Sequence, residues 1–219
     1  MLSKIKQSRL NHSRIKHSRT CQSRICKTKK SKLYLNNIIY LKSFANLTSL
    51  ELKQLSYITN DLETMKYIGK GNLWSINDLE EFQQEEQKEV ILDQKNRKHY
   101  TYVLIYNNIV IGFIEGRKNK SLLPKNIKTG IYDILLRMFI SRDYIGKGFG
   151  KKIIKLFILE YSRLLKQHKT NKIHFTIYSD IDPDNIPSIK IHLANGFISS
   201  GKFKYPNGKI YNRYKYISR

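Results

Sequence analysis

The strongest constraint on this chain is an apolar run, a cluster of three glycines and a basic amphipathic segment that follow one another. The apolar run, IYDILLRMFI (131–140), predicts a central strand because it has few polar interruptions. Apolar residues then recur at helical spacing over 149–167, which predicts an amphipathic helix. Glycine weakens the interior of a strand or helix, so the glycines of YIGKGFGKKII serve the backbone between these two elements. A strand, a glycine-rich turn and a helix predict an anion site, because backbone N–H groups and the positive end of the helix converge there.

The segment before this unit predicts a strand, two helices and a hairpin. LYLNNIIYLKSF (33–44) is rich in aromatic and β-branched residues, as strands are. Thr48 has a Glu three residues later, a capping-box pattern that predicts a helix over about 49–60. Ser75 starts a second helix. Two apolar runs within 100–116 flank an Asn-Asn pair, which favours a tight hairpin.

The segment after the glycine cluster completes a mixed sheet. KIHFTIY (172–178) predicts a strand. Asn185 caps a short helix that ends at Gly196. Two final strands flank a Pro-Asn-Gly turn at 206–208. The predicted order is β-α-α-β-β-β-α-β-α-β-β, which is a mixed α/β sheet (α+β type) in a single domain over 34–219.

The charge of the chain is concentrated at its start. The formal net charge is +24, and the first 32 residues hold 11 of the 41 Lys and Arg residues and no acidic residue. They repeat a five-residue unit, SKIKQ, SRLNH, SRIKH, SRTCQ, SRICK. A period of five fits neither a helix nor a strand, so residues 1–33 predict a disordered basic tail. Such a charge predicts attraction to nucleic acid or another polyanion.

Two further interpretations of the tail stay open. It resembles an organelle transit peptide in being rich in Arg and Ser and free of acid, and KTKKSK (27–32) is typical of a nuclear import patch. A zinc site would need the tail's histidines and cysteines, but their spacing follows the repeat, so we expect no metal. Those residues are His12, His17, Cys21 and Cys26. No apolar run approaches a membrane span of about 20 residues, so we expect an intracellular protein, cytoplasmic or nuclear, without a membrane partner.

Two common phosphate-binding loops do not match the glycine cluster. A nucleotide P-loop ending at Gly-Lys (150–151) requires glycine where Ile145 stands and Ser or Thr where Lys152 stands. A dinucleotide fingerprint that starts at Gly146 requires glycine where Lys151 stands. The anion site therefore needs another interpretation.

LLRMFISRDYIGKGFGKKII resembles the acetyl-CoA loop of the GNAT superfamily of N-acetyltransferases, whose pattern is Gln/Arg-x-x-Gly-x-Gly/Ala. Gly148 and Gly150 occupy its two required positions, and Ile145 replaces the usual Gln or Arg. NIPSIKIHLANGF (185–197) resembles the family's Asn-x-x-Ala-x-x-x-Tyr-x-x-x-Gly-Phe segment, with His192 in the place of Tyr. The matching residues of this second segment are Asn185, Gly196 and Phe197.

The resemblance covers about 38–219 and implies a GNAT-like acyl-CoA N-acyltransferase fold. It implies direct transfer of an acetyl group from acetyl-CoA, as co-substrate, to a primary amine of a small molecule, a protein N-terminus or a lysine. Backbone amides of 146–151 would hold the pyrophosphate, and the amide near Ile140 would polarise the thioester carbonyl. The residues implied in acetyl-CoA binding are Met138, Phe139, Ile140, Ile145, Gly146, Lys147, Gly148, Phe149, Gly150, Lys151 and Asn185.

Four residues are candidates for the two proton transfers of this reaction. His192 can donate a proton to the leaving thiolate near neutral pH, with Tyr178 as the second candidate acid. Glu115 and Asp133 are candidate bases for the amine. The alternatives are a solvent-facing histidine and two surface carboxylates. Trp74, the single Trp of the chain, lies in the region that shapes the acceptor pocket in this superfamily, or else in the core.

A second hypothesis keeps the fold without the chemistry. The chain would then be a catalytically weak or inactive acetyl-CoA-binding protein that acts as a basic nucleic-acid-binding module. The net charge and the tail favour this hypothesis. The replacement of the usual Tyr by His192 also favours it, because the family's usual proton donor is then missing.

Overall fold

The structure is a computed structural model in which residues 38–68, 73–92, 95–118, 131–167 and 173–218 are described. The predicted tail and the first residues of the predicted first strand lie outside the described residues. The strands are β1 Ile39–Ser43, β2 His99–Tyr106, β3 Ile109–Arg117, β4 Ile134–Ile140, β5 Thr176–Ile181, β6 Ile198–Lys204 and β7 Ile210–Ile217. The helices are α1 Ser49–Thr59, α2 Leu62–Met65, α3 Ile76–Val90, α4 Phe149–Lys166 and α5 Ile186–Leu193.

The seven described strands form one sheet in the order β1-β2-β3-β4-β5-β7-β6. All neighbours are antiparallel except β4 and β5, which are parallel. The β2–β3 hairpin turns at Asn107 and Asn108, whose φ angles of 49° and 65° suit the tight turn that the Asn pair predicted. The predicted mixed α/β sheet is therefore confirmed.

The helices begin where the sequence predicted them. Thr48 and Glu51 form a complete capping box at α1, and Ser75 and Asp78 form another at α3. The short helix α2 was not predicted; it begins where Asp61 accepts a hydrogen bond from a backbone amide of the first turn. Capping residues act through local geometry, which is why they can be recognised without tertiary information.

One predicted strand is displaced along the chain. The prediction placed it at 172–178, whereas β5 is Thr176–Ile181. The polar residues Ser179 and Asp180 follow the predicted stretch, yet β5 is paired with β7 over the whole of 176–181. Asp180 forms an ion pair with Arg213 on β7, so a charged residue belongs to the strand interior.

The sheet packs a hydrophobic core on each face. α4 packs on one face through a stripe of buried residues that includes Ile153, Phe157 and Tyr161. α1 and α3 pack on the other face, where Leu55 and Leu79 meet β2, β3 and β4. The helical spacing of the apolar residues predicted an amphipathic helix, and α4 is one. No helix among the described residues is both long and apolar enough to cross a bilayer.

Candidate functional site

The two parallel strands separate at the centre of the sheet. β4 and β5 pair only through Ile134–Leu135 and 177–178. Beyond that point β4 stays paired with β3 up to Ile140, and β5 stays paired with β7 up to Ile181. No strand of the described sheet pairs with the β5 side of β4 over 136–140. Because strand edges carry N–H and C=O groups that need partners, this edge can accept an extended ligand as an added strand.

The helix that follows β4 begins without a side-chain cap. Its N-cap is Gly148, which has no side chain to accept a hydrogen bond from the first turn. Each of the other α-helices in the described part of the chain has a capping side chain, namely Thr48, Asp61, Ser75 or Asn185. The first amide groups of any helix lack partners within the helix, so those of α4 remain available to an anion. The first turn has no acidic residue, and Lys151 and Lys152 are exposed on it.

The three glycines of the loop meet two different needs. Gly146 and Gly148 have φ angles of +79° and +82°, and no atom of the described residues lies within 4 Å of the position that a Cβ would take. They are needed for backbone conformation, and the described residues leave the space above them open. At Gly150, in contrast, a Cβ would lie 3.0 Å from Ile191 Cδ1, because α4 packs closely against α5. A side chain at 150 would require Ile191 to shift, so the α4–α5 contact favours glycine there.

The strand residues of the predicted cofactor site point to both faces of the sheet. Met138 and Ile140 pack against the core on the α4 side. Phe139 points to the other side and stacks on Phe113, with ring centroids 5.1 Å apart. Their side chains thus pack in the two cores, and only their backbone lies along the open edge of β4.

The remaining residues of the predicted cofactor site lie around the loop. Ile145 is 61% exposed. The Lys147 ammonium donates to the Asp143 carbonyl oxygen at 2.7 Å, so it is drawn back over the loop. Phe149 packs against the Tyr106 ring at 4.9 Å between centroids. Asn185 caps α5 by accepting from the Ser188 amide, which is a structural role.

His192 is buried rather than solvent-facing, so that alternative is wrong. It lies on α5, 1% exposed, with its ring edge-on to Phe197. Its Nδ1–H donates to the Ser188 carbonyl oxygen at 2.8 Å, and the buried Nε2 has no hydrogen-bond partner among the described residues. Burial lowers the pKa of His192 to about 4, against a smaller opposing effect of the Ser188 hydrogen bond. The imidazole is therefore neutral at physiological pH and offers a lone pair at Nε2 instead of a proton.

Tyr178 and Asp133 lie near each other, where β4 and β5 still pair. Asp133 is 6% exposed, and its Oδ1 accepts from the Thr176 amide at 2.7 Å. Tyr178 is 3% exposed, and burial raises its pKa, with the Asp133 carboxylate as a further cause. Asp133 is thus not a surface carboxylate, and Tyr178 keeps its proton at neutral pH.

Glu115 is also buried, so the surface alternative is wrong for it as well. It lies on β3 opposite Arg137 of β4 and is fully shielded from solvent. One oxygen accepts from Arg117 Nε at 2.7 Å and the other accepts from Arg137 Nε. His99 Nδ1 lies 3.7 Å from Glu115 and 3.6 Å from the buried Glu86. Glu115 and His192 lie on opposite sides of the sheet and do not form one constellation.

The ligand atoms of Glu86, His99 and Glu115 lie within 4.8 Å of one another, which is close enough to hold a metal ion. Glu115 is already neutralised by two guanidinium groups. A divalent ion would therefore meet two neighbouring positive charges in a buried position. The charge of the cluster does not favour a metal.

A pocket of about 360 Å³ opens on the face of the sheet opposite α4. Its described lining residues are Leu73, Trp74, Asp78, Leu79, Phe82 and Arg137. Trp74 lines this pocket and also packs edge-on against Phe113 at 5.4 Å between centroids, so it belongs to the pocket and to the core. Arg137 was not among the predicted site residues, although it is the one charged residue within the apolar run ILLRMFI. That signal could have identified it.

Known proteins resemble this chain in sequence and in fold. The family model of the acetyltransferase (GNAT) family matches residues 64–197. A spermine/spermidine N(1)-acetyltransferase of Bacillus subtilis (strain 168) is 31% identical over 74 residues, which are 34% of this chain and 44% of that protein. The match thus spans less than half the length of this curated relative.

Two solved structures share the fold. One is an aminoglycoside acetyltransferase, AAC(6')-Ib, in complex with coenzyme A, with a TM-score of 0.58 at 17% identity over 82% of this chain and 94% of that one. The other is a GNAT-family acetyltransferase from Bacillus anthracis, with a TM-score of 0.56 at 22% identity over 82% and 93%. The family model covers more than half of the chain and includes both sequence motifs. The chain therefore belongs to the acetyltransferase (GNAT) family.

Proposed function

We propose that the chain transfers an acetyl group from acetyl-CoA to a primary amine. The observation that carries the proposal is the open edge of β4 beside the uncapped start of α4. Together they offer a strand edge for an extended arm and a set of free amides for a phosphate. Acetyl-CoA has both parts, and it supplies an activated acetyl thioester.

The residues present fit this co-substrate. The amides of 146–151 would bind the pyrophosphate, since no described residue covers Gly146 or Gly148 and no described side chain caps the start of α4. The exposed Lys151 adds positive charge at the same place. The backbone of Met138, Phe139 and Ile140 would bind the pantetheine arm along the open edge.

We assign the proton donor for the leaving thiolate to Tyr178 before His192. Tyr178 keeps its proton, whereas His192 has no proton at Nε2 to give. Asp133 and Glu115 remain candidate bases, but each already accepts hydrogen bonds from the protein. Removal of the amine proton through water is compatible with all of these contacts.

The test of this function is an acetylation assay of the full chain with a panel of primary amines, beside Tyr178→Phe and His192→Phe. General acid catalysis contributes about 10²- to 10⁴-fold. We expect Tyr178→Phe to lower kcat by about 100-fold, and His192→Phe to have a much smaller effect on kcat. The reverse ranking would reassign the acid to His192.

The nucleic-acid hypothesis remains the second candidate for this assay to address. Residues 1–33, which would bind the nucleic acid, lie outside the described residues. The acetyl-transfer proposal does not depend on them. A chain that binds acetyl-CoA but acetylates no amine in the panel would favour the inactive module, and a steep salt dependence of RNA binding would then be the next measurement.

Because the pKa of His192 is lowered by burial, we expect the folded state to lose stability in mild acid. Its folded-state pKa of about 4 lies below the ordinary value of 6.5. Between these values the unfolded chain binds a proton that the folded chain does not, so the stabilising effect of the neutral histidine is complete above 6.5 and falls as pH drops. We expect the free energy of unfolding to fall by about 2 kcal/mol from this group between about pH 7 and pH 5.

Urea denaturation at the two pH values measures this change, with His192→Phe as the control. The variant should lose this part of the pH dependence, because its side chain does not titrate. Equal pH dependence in both proteins would show that His192 binds its proton as readily in the folded chain as in the unfolded chain.

A further inference from the structure

Arg137 lies at the junction of the pocket and the separated strands. It is on β4, two residues beyond the last residue that pairs with β5, and it lines the pocket with Trp74 and Phe82. If the proposed function holds, this pocket adjoins the place where the acetyl group is delivered. The chemistry of its walls then selects the acceptor.

The guanidinium group of Arg137 is held in a fixed orientation. Its Nε donates to Glu115, and its plane lies near two aromatic rings, 5.1 Å from the Trp74 centroid and 5.7 Å from that of Phe113. An arginine fixed in this way loses little further conformational entropy when it binds a ligand.

The terminal nitrogens of Arg137 are still available as donors. Among the described residues Arg137 hydrogen-bonds only through Nε, and 31% of the side chain is exposed. A guanidinium edge with two free nitrogens matches the two oxygens of a carboxylate. The local charge is nearly balanced, because Glu86 and Glu115 face Arg117 and Arg137. The geometry of the donors, more than net charge, therefore favours a carboxylate.

The rest of the pocket defines the body of the ligand. Leu73, Trp74, Leu79 and Phe82 provide apolar and aromatic walls. Asp78 adds one carboxylate, whose Oδ2 is occupied by Ser75 and whose Oδ1 makes no hydrogen bond with the described residues. Oδ1 can therefore bind an ammonium group as it enters the pocket.

We propose that the acceptor is a free α-amino acid with an apolar or aromatic side chain, whose carboxylate binds the terminal nitrogens of Arg137. This inference rests on the proposed function and narrows its acceptor class. The amine to be acetylated and the carboxylate are attached to the same carbon in such a molecule, so binding of one places the other. In the transfer, the amine nitrogen forms the new bond to the acetyl carbon, the thioester bond breaks, and the nitrogen's proton leaves as the thiol is formed.

Binding can be tested without turnover, because Trp74 is the only tryptophan and lines the pocket. Its fluorescence in the full chain is titrated with phenylalanine, phenylalanine amide and phenethylamine, which differ only in the carboxylate. Spermidine serves as a polycationic comparison. We expect phenylalanine to bind about 10- to 100-fold more tightly than either molecule without the carboxylate, as is typical of a hydrogen bond to a charged group.

Arg137→Lys and Arg137→Gln identify the group that reads the carboxylate. Both variants should reduce the preference for phenylalanine to about twofold or less, with Lys keeping the positive charge beside Glu115. A preference that survives both substitutions, equal binding of phenylalanine and phenethylamine by the wild type, or tightest binding of spermidine would each overturn the proposal. The wild-type series stands by itself if the variants do not fold.

A separate acetyl-CoA titration distinguishes this proposal from the function on which it rests. Loss of acetyl-CoA binding with retained selectivity for phenylalanine would reject the acetyl-transfer function and leave the carboxylate site. Binding of acetyl-CoA without selectivity for the carboxylate would reject the carboxylate site and keep the acetyl-transfer function.

Discussion

Gly148→Asp is expected to weaken acetyl-CoA binding by about 100-fold, whereas Gly148→Asn is expected to weaken it by less than about tenfold. Both side chains are nearly the same size, and both tolerate the left-handed backbone that φ of +82° imposes at this position. Only Asp places a negative charge against the pyrophosphate. A unit charge at about 4 Å in a partly shielded site is worth up to about 4 kcal/mol, and about 3 kcal/mol corresponds to the expected 100-fold.

The measurement is a calorimetric titration of the full chain and both variants with acetyl-CoA. A thermal-unfolding series gives a second readout, since ligand at about 100 times its dissociation constant stabilises the folded state by about 2.7 kcal/mol. If Asn weakened binding as much as Asp, the effect would be one of space or backbone conformation, not charge. Unchanged acetyl-CoA binding in both variants would show that the pyrophosphate does not bind at this loop.

Asp180→Asn is expected to lower the free energy of unfolding by about 3–5 kcal/mol, the largest stability effect that we predict. Both side chains of the Asp180–Arg213 pair are 3% exposed, and the carboxylate accepts from Arg213 Nε and Nη2, each at 2.6 Å. It also accepts from the Tyr205 hydroxyl at 3.0 Å. Asn removes the charge and presents an amide donor to a guanidinium donor, so a buried positive charge loses its partner.

Glu160→Gln is the matched control, because it also removes one carboxylate from an arginine pair. The Glu160–Arg163 pair has a similar N···O distance of 2.7 Å, but it lies on the surface of α4 with Arg163 55% exposed. Surface pairs contribute about 0–1 kcal/mol. Urea denaturation of both variants measures the difference, and equal effects would show that burial adds nothing to the Asp180–Arg213 pair.

The sequence was sufficient for the features that depend on neighbouring residues. Thr48 and Ser75 marked the starts of two helices, and Asn107-Asn108 marked a hairpin, because caps and tight turns are set by a few consecutive residues. The glycine pattern before α4 and the Asn185 segment identified the family for the same reason: each motif is continuous in the chain. The acetyl-CoA-binding role of those residues stays a prediction.

The roles of the charged and titratable residues could not be obtained in this way. The sequence was compatible with surface positions for His192, Asp133 and Glu115, yet all three are buried. Their environments depend on residues far away in the chain, such as Arg137, which lies 22 positions from Glu115. A pKa depends on burial and on nearby charges in space, and neither follows from local pattern.

The sequence by itself determined the element types, the starts of the capped helices and the membership of the family, because these follow from local propensity and continuous motifs. Tertiary structure decided that β4 and β5 separate after two paired residues, and that Trp74 and Arg137 share a pocket beside the gap. It also left Gly146 and Gly148 uncovered by any described residue and placed Gly150 against Ile191. Strand separation and side-chain environment arise from contacts between distant segments, which no local pattern encodes.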